Sequence, residues 1–169
     1  INISPLHEVF DKTCERSIAR GMRVTGSELI GLVPKKVLID AGKHFLKKQE
    51  RSTGIHESEI IKIAIKTLGL NELVPFDPQE RIIEYMLESD ANKPLVNMSL
   101  TDFANETASE SPAPGGGSIA AYCGAMGISL GTMVANLSAH KRGWDDRWEE
   151  FSDCAEKGMA YQNTLLDLV

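Results

Sequence analysis

The stretch Pro112-Ala-Pro-Gly-Gly-Gly-Ser118 has the composition of a turn built to face a ligand. Two prolines stiffen the approach, and three consecutive glycines let the backbone pass closely against a ligand or another helix. Ser118 is placed to cap the helix that follows. The free N–H groups at that helix start, strengthened by the helix dipole, would form an anion site. No Lys-Ser/Thr pair follows the glycines, so this is not a Walker A loop. A purely structural turn uses the same residue types, and the spacing leaves both readings open. The three cysteines, Cys14, Cys123 and Cys154, are widely separated and lack the spacing of a zinc site; they read as single reduced thiols.

The elements that must position this turn differ on its two sides. Residues 119–137 carry no charge, and Ala120, Gly124, Gly127, Gly131 and Ala135 recur every three or four residues. Glycine costs a helix roughly 1 kcal/mol relative to alanine. A stripe of three therefore predicts an offsetting gain, close packing of a second helix. Residues from about Trp144 to Val169 form another amphipathic helix, and one more begins near Ser99 or Thr101.

Upstream, Ile1–Ser4 alternates like a strand, and a helix runs from Pro5 towards Gly21. Met22–Val33 reads as a second strand, interrupted by Gly26 and Gly31, where backbone bulges or approaches a ligand. A helix with Val37, Leu38, Ala41 and Phe45 on one face follows Pro34. A polar loop over 47–58 leads to a helix from about Ser58 to Leu68, capped by Gly69. Asp77-Pro-Gln-Glu80 is the start of a further helix that continues to Leu87. After Leu87 the composition changes, and Ser89-Asp-Ala-Asn-Lys-Pro94 reads as a tether. These patterns predict an α+β domain of α/β type that has lost its beginning (1–88), a linker (89–98) and an incomplete all-α domain (99–169). The chain has no initiator Met and ends inside an apparent helix, so it is expected to be cut from something longer.

A hydrophobic fraction of 42% supports a packed core, and the 25% of charged residues argues against disorder. The net charge of −6 leaves no broad basic face, so nucleic acid is not expected as a partner. No basic segment precedes an apolar one at the N-terminus, and a cytoplasmic protein is expected. Residues 119–137 are about long enough to cross a membrane. Tyr122, Ser129, Thr132 and Asn136 weigh against that, favouring a helix buried in a homo-oligomeric helical domain.

Two stretches resemble known enzymes. Thr25-Gly-Ser-Glu-Leu-Ile-Gly-Leu-Val-Pro34, with Leu38-Ile-Asp-Ala41, Leu68-Gly-Leu70 and Pro75-Phe-Asp-Pro-Gln-Glu-Arg-Ile-Ile-Glu-Tyr85, resembles the C-terminal subdomain of glutamate formimidoyltransferases. Glu110-Ser-Pro-Ala-Pro-Gly-Gly-Gly-Ser118, with Met133-Val-Ala-Asn-Leu137, resembles the start of the cyclodeaminase/cyclohydrolase family. The two occur in this order in the bifunctional formimidoyltransferase-cyclodeaminase family. That resemblance implies transfer of a formimino group from N-formimino-L-glutamate to tetrahydrofolate. Cyclisation of 5-formiminotetrahydrofolate to 5,10-methenyltetrahydrofolate, with release of ammonia, would follow. Folate is a substrate, and no metal or redox cofactor is implied.

Carried over to this sequence, the resemblance makes Gly26, Ser27 and Glu28 candidates for one wall of the folate groove. Gly115, Gly116, Gly117 and Ser118 would lie against the second folate. Lys141 and Arg142, a basic pair, are candidates for its glutamate tail, since paired cations suit carboxylates; plain strand packing and a solvated helix end remain the other readings. The family's transferase histidine is matched by none of His7, His44, His56 or His140, which are expected in surface or packing roles. Its cyclodeaminase acid falls beyond Val169. The chain is therefore expected to lack both main catalytic residues. A non-catalytic helical assembly module and a methenyltetrahydrofolate cyclohydrolase relative are the alternatives.

Overall fold

The computed structural model describes residues 4–87 and 94–169. It divides into two compact units, Ile1–Arg51 with His56–Ser89 and Ser52–Ile55 with Asp90–Val169. The described residues are mostly helical, and among them no strand is formed.

In the first unit α1 (Leu6–Ile18) starts after Pro5, whose ring fixes an extended entry to the helix. Helix α2 (Lys35–Lys48) follows Pro34. Helix α3 (Glu57–Leu68) is capped by the His56 ring, which accepts the Ser58 N–H, and stops at Gly69 in the left-handed region (φ 65°). Leu38, Ala41 and Phe45 of α2 pack with Ile61, Ala64, Ile65 and Leu68 of α3, and with Val33, Leu70, Phe76 and Ile82. This is the unit's core.

The strand expected over Met22–Val33 is not a ladder. The segment has no regular structure and bends at Gly31 (φ 91°), and only Val33 pairs, in an isolated parallel bridge with Ile82. Val33 N–H donates to the Arg81 carbonyl, and Ile83 N–H donates to the Val33 carbonyl. Among the described residues no backbone hydrogen bond is made by residues 28–32, so no ladder forms there. Residues 1–3 of the strand expected over Ile1–Ser4 lie outside the described residues, as do residues 89–93 of the linker expected over 89–98. The bridge also explains a second difference. The helix expected over 78–87 is broken at Ile82 into α4 (Pro78–Arg81) and α5 (Ile83–Leu87). Ile82 leaves helical geometry (ψ 121°) to meet Val33 and becomes fully buried.

A second clamp closes this unit. The Glu84 carboxylate accepts the Lys35 N–H at 2.6 Å, and Lys35 Nζ lies 3.0 Å from Glu57 Oε1. The Lys35 backbone hydrogen bond holds the Glu84 carboxyl below the usual carboxylate range.

The second unit is built on an antiparallel hairpin of α7 (Gly116–Ala139) and α8 (Trp148–Leu166), preceded by α6 (Leu100–Thr107). A 3-10 turn over Asp145–Arg147 delays the last helix from Trp144 to Trp148. The buried residues of the hairpin are small: Ala121, Ala125, Thr132, Ala135 and Ala139 on α7, and Ser152, Ala155 and Gly158 on α8. A Cβ on Gly158 would overlap Thr132 Oγ1, so glycine is needed there. Of the glycine stripe, only Gly124 meets a neighbour, Leu165 at 3.4 Å; Gly127 and Gly131 face open space. The packing face is thus the alanine row rather than the predicted glycine row.

Ser52–Ile55 completes the second unit. Thr53 N–H donates to Ser152 Oγ at 2.9 Å. Ser52 Oγ donates to Asn136 Oδ1 at 2.6 Å, and Asn136 Nδ2 donates to the Gly54 carbonyl at 2.8 Å. Both ends of the half-buried Asn136 amide are thereby satisfied.

Candidate functional site

Gly26, Ser27 and Glu28 line a cavity of about 260 Å3 in the first unit, with Leu6, Val9, Phe10 and Thr13 of α1 on the opposite side. The three residues do different work. A Cβ on Gly26 would lie 2.6 Å from Glu72 Cβ, and one on Gly69 would lie 2.8 Å from Gly26 Cα, so two glycines meet where the segment over 22–33 crosses the end of α3. Ser27 is bound to the same place: its N–H donates to the Gly69 carbonyl and its hydroxyl to the Leu68 carbonyl. Those bonds satisfy carbonyls that a helix end leaves open. Glu28 is exposed and has no ion pair or hydrogen bond among the described residues. Of the trio, Glu28 alone has side-chain polar atoms free for a ligand among the described residues, while the other two fix its position.

In the second unit the glycine turn opens α7. Gly115 is the N-cap residue, not Ser118, and the cap has no side-chain hydrogen bond. Ile119 N–H reaches the Gly115 carbonyl, which leaves the N–H groups of Gly116, Gly117 and Ser118 at the helix start without an intrahelical acceptor. Nothing lies within 4 Å of a Cβ built on Gly116 or Gly117. The Ser118 hydroxyl is turned away, donating to the Val169 carbonyl at 2.9 Å. Here, unlike at Gly26, the glycine backbone remains available, while the neighbouring serine anchors it.

Lys141 and Arg142 lie past the other end of α7. Lys141 Nζ sits 4.4 Å over the Trp144 ring, which stacks on Phe151 with centroids 5.3 Å apart. Arg147 covers the same pair and is bidentate to Glu150 at 2.9 and 3.0 Å. Hydrogen bonds from Arg147 hold the Glu150 carboxyl low, and the carboxylate pushes Arg147 up. Both residues are exposed, and Lys141 is partly engaged by the Trp144 ring. The 24 residues of α7 span about 36 Å at 1.5 Å per residue, which separates the basic pair from the glycine turn within one copy.

The sequence placed His7 and His44 in packing or surface roles and missed that they meet. Their rings stack at 4.5 Å, and His44 Nε2 lies 2.9 Å from Asp11 Oδ2. The signal was present as spacing: His7 and Asp11 share one face of α1, and Asp40, His44 and Lys48 share one face of α2. No group of three or more His, Cys, Asp or Glu among the described residues could hold a metal ion.

Residues 1–88 match the sequence model of the formiminotransferase domain, and residues 99–169 match that of formiminotransferase-cyclodeaminase. The chain belongs to the formiminotransferase-cyclodeaminase family. It is similar to formimidoyltransferase-cyclodeaminase of Gallus gallus, 42% identical over 140 residues, which are 82% of this chain and 26% of that protein. The Mus musculus protein of the same name is 39% identical over 144 residues, 85% of this chain and 26% of that protein. A methenyltetrahydrofolate cyclohydrolase of Methylorubrum extorquens is 34% identical over 73 residues, 43% of this chain and 35% of that protein. The chain thus spans about a quarter of the length of the bifunctional relatives it matches. Its two matched regions leave residues 89–98 between them.

Proposed function

We propose that this chain is the junction of a bifunctional folate enzyme. It joins the end of a formimidoyltransferase (1–88), through a tether (89–98), to the opening helices of a cyclodeaminase (99–169). The observation that carries this reading is the succession of the two family regions, in this order, along one chain. In the parent, the first reaction moves a formimino group from N-formimino-L-glutamate to tetrahydrofolate. In the second, a folate nitrogen attacks the formimino carbon and the departing amine takes a proton and leaves as ammonia, giving 5,10-methenyltetrahydrofolate. Folate is the substrate throughout, with no metal or redox cofactor.

Glu28 is the polar contact in the transferase wall, held in place by Gly26 and Ser27. The free N–H groups over Gly115–Ser118 receive an anionic or carbonyl oxygen of the second folate. Lys141 and Arg142 meet a carboxylate tail, with Arg142 the freer of the two. The isolated parallel bridge of Val33 to Ile82 supports an α+β subdomain whose sheet is completed by chain outside this piece. Helix α7 is long and apolar enough to cross a membrane by length and composition. Its alanine face carries α8, and its Asn136 amide is hydrogen-bonded to protein, which supports a helix packed in protein rather than a span. The open face, with Met126, Leu130, Met133, Val134 and Leu137 exposed, supports a homo-oligomer through the helical domain.

Positioned acid/base groups contribute on the order of 10²–10⁴-fold to such reactions, and this chain supplies neither of them. The isolated chain is expected to show no formimino transfer and no ammonia release. The parent enzyme carrying Glu28→Gln is expected to lose transferase activity while keeping ammonia release, and Gly116→Val the reverse. Ammonia release by the isolated chain, or a parent indifferent to both changes, refutes the assignment. The likeness of the second region to a cyclohydrolase favours one other reading, hydrolysis of the methenyl ring. A parent that opens methenyltetrahydrofolate but releases no ammonia from the formimino compound selects it.

A further inference from the structure

Helix α1 is tied to α2 by a narrow set of contacts. Leu6 and Phe10 rest against the core, and Phe10 meets Phe45 edge-on at 6.4 Å. No residue of α1 is buried. The remaining contacts are ionisable. His7 of α1 stacks on His44 of α2 at 4.5 Å with 28° between the planes. Asp11 of α1 takes both His44 Nε2 at 2.9 Å and Lys48 Nζ at 3.0 Å. His7 Nδ1 is buried and has no hydrogen-bond partner.

We propose that the His7–His44 stack is an acid-sensitive latch: a proton gained by His7 loosens α1 from α2, and with it one wall of the cavity that holds Gly26, Ser27 and Glu28.

The geometry explains the direction. A proton on His7 puts a cation against a ring whose Nε2 is already committed to Asp11. It also charges a ring whose Nδ1 is shut away from water, where a charge without a partner is costly. Burial, and then His44, hold the His7 pKa below its ordinary 6.5; the carboxylates of Glu8, Asp40 and Asp11 oppose this without reversing it. His7 itself borders a second cavity, of about 340 Å3, to which the segment after Glu28 contributes Leu29, Ile30, Leu32 and Val33, none of them ionisable, and α2 contributes Asp40. With the folded pKa depressed, the folded state binds fewer protons than the released one. Docking is therefore favoured above 6.5 and weakens as pH falls through the lower folded value. Burial raises the Asp11 carboxyl, but hydrogen bonds from His44 and Lys48 outweigh this and hold it below 3.8, so it stays charged through that window. Because α1 supplies Leu6, Val9, Phe10 and Thr13 to the cavity, its release opens that cavity.

The consequence for folate rests on the proposed reading of the cavity, whereas the latch does not, so the test uses no ligand. Amide hydrogen exchange of the whole chain, corrected for intrinsic rates, is followed from about pH 7.5 to about 5.5. Protection of residues 10–18 is expected to fall by up to about tenfold for each unit of pKa depression. Protection within α7 is expected to hold. His7→Phe keeps an aromatic ring on His44 without a titrating proton and should flatten the response. If that variant fails to fold, judged by circular dichroism, His7→Gln is used and should do the same. Constant wild-type protection of α1 over this range, or an equal fall in the non-titrating variant, overturns the proposal. Loss of folate binding for any other reason leaves both readouts unaffected.

Discussion

Gly42 lies in the middle of α2 where α3 comes nearest. A Cβ built there would sit 2.3 Å from the Ile60 carbonyl oxygen and 2.6 Å from Ile60 Cγ2. The first of these is backbone and cannot swing aside. Ordinary contact begins near 3.4 Å, so Gly42→Ala forces α2 and α3 apart by about 1 Å. A gap of that size forfeits a quarter to a half of each dispersion well it opens, and the contacts affected include Leu38, Phe45, Ile61 and Ile65, all in the core. Overpacking of this kind costs about 1–3 kcal/mol. Against it stands a gain of roughly 1 kcal/mol, because alanine is the better helix former. The expected net is a loss of up to about 2 kcal/mol in the first unit. For a unit of this size that corresponds to a fall in Tm of up to about 16 °C. Thermal and urea unfolding followed by circular dichroism measure it, with an unchanged m-value showing that the unfolded state is the same. If Gly42→Ala stabilises the unit, the close approach of α2 and α3 is wrong.

Three shorter expectations follow from the same contacts. Gly54→Ala places a Cβ 2.3 Å from the Ala155 backbone carbon, and should lower the stability of the second unit by about 2–3 kcal/mol, read from its own unfolding transition. Ser152→Ala leaves the buried Thr53 N–H without its acceptor and should cost about 1–3 kcal/mol, in contrast to Ser109→Ala on the exposed surface. Glu84, held low by the Lys35 N–H, contributes stability above its unfolded pKa that is lost as pH falls through the lower folded value. Glu84→Gln should therefore weaken the first unit at pH 7 and make little difference in strong acid, and an NMR titration of Glu84 without a depressed midpoint would contradict this.

Much of this was legible in the sequence because helix signals are local. Asp77 caps α4 and Gly69 ends α3 where cap chemistry put them. The burial of Ile61, Ala64, Ile65 and Leu68 follows from one apolar face. Non-local features were not legible. The break at Ile82 comes from Val33, almost fifty positions earlier, and no periodicity in 78–87 encodes it. The strand expected over Met22–Val33 failed for a similar reason: alternation marks a segment fit for a sheet, but a partner must run beside it. Ser118 illustrates a competing bond, since its hydroxyl finds the Val169 carbonyl rather than the helix start. In the candidate sites the sequence identified segments and could not rank residues within them. Ser27 and Ser118 carry the same functional groups as a ligand contact would, and only the bonds they make to the chain show that they anchor glycine backbone.

The glycine stripe of α7 turns that lesson into a test of assembly. Gly127 and Gly131 have nothing within 4 Å of a built Cβ, and beside them Leu130, Val134 and Leu137 are 59%, 58% and 67% exposed. Glycine on an open helix face only weakens the helix, so Gly127→Ala and Gly131→Ala should each stabilise a lone second unit by up to about 1 kcal/mol. If a second copy or further helices of the parent cover that face, the same substitutions meet a neighbour and become overpacking, costing about 1–3 kcal/mol. The sign should therefore differ between this chain and the parent enzyme. Unfolding of both, with sedimentation to report oligomer size, reads it. Stabilisation in both settings would mean that the face stays open and that the proposed homo-oligomer is built elsewhere. Destabilisation already in the isolated chain at low concentration would mean that α8 or α6 packs on the stripe after all, against the arrangement in which the alanine row carries the hairpin.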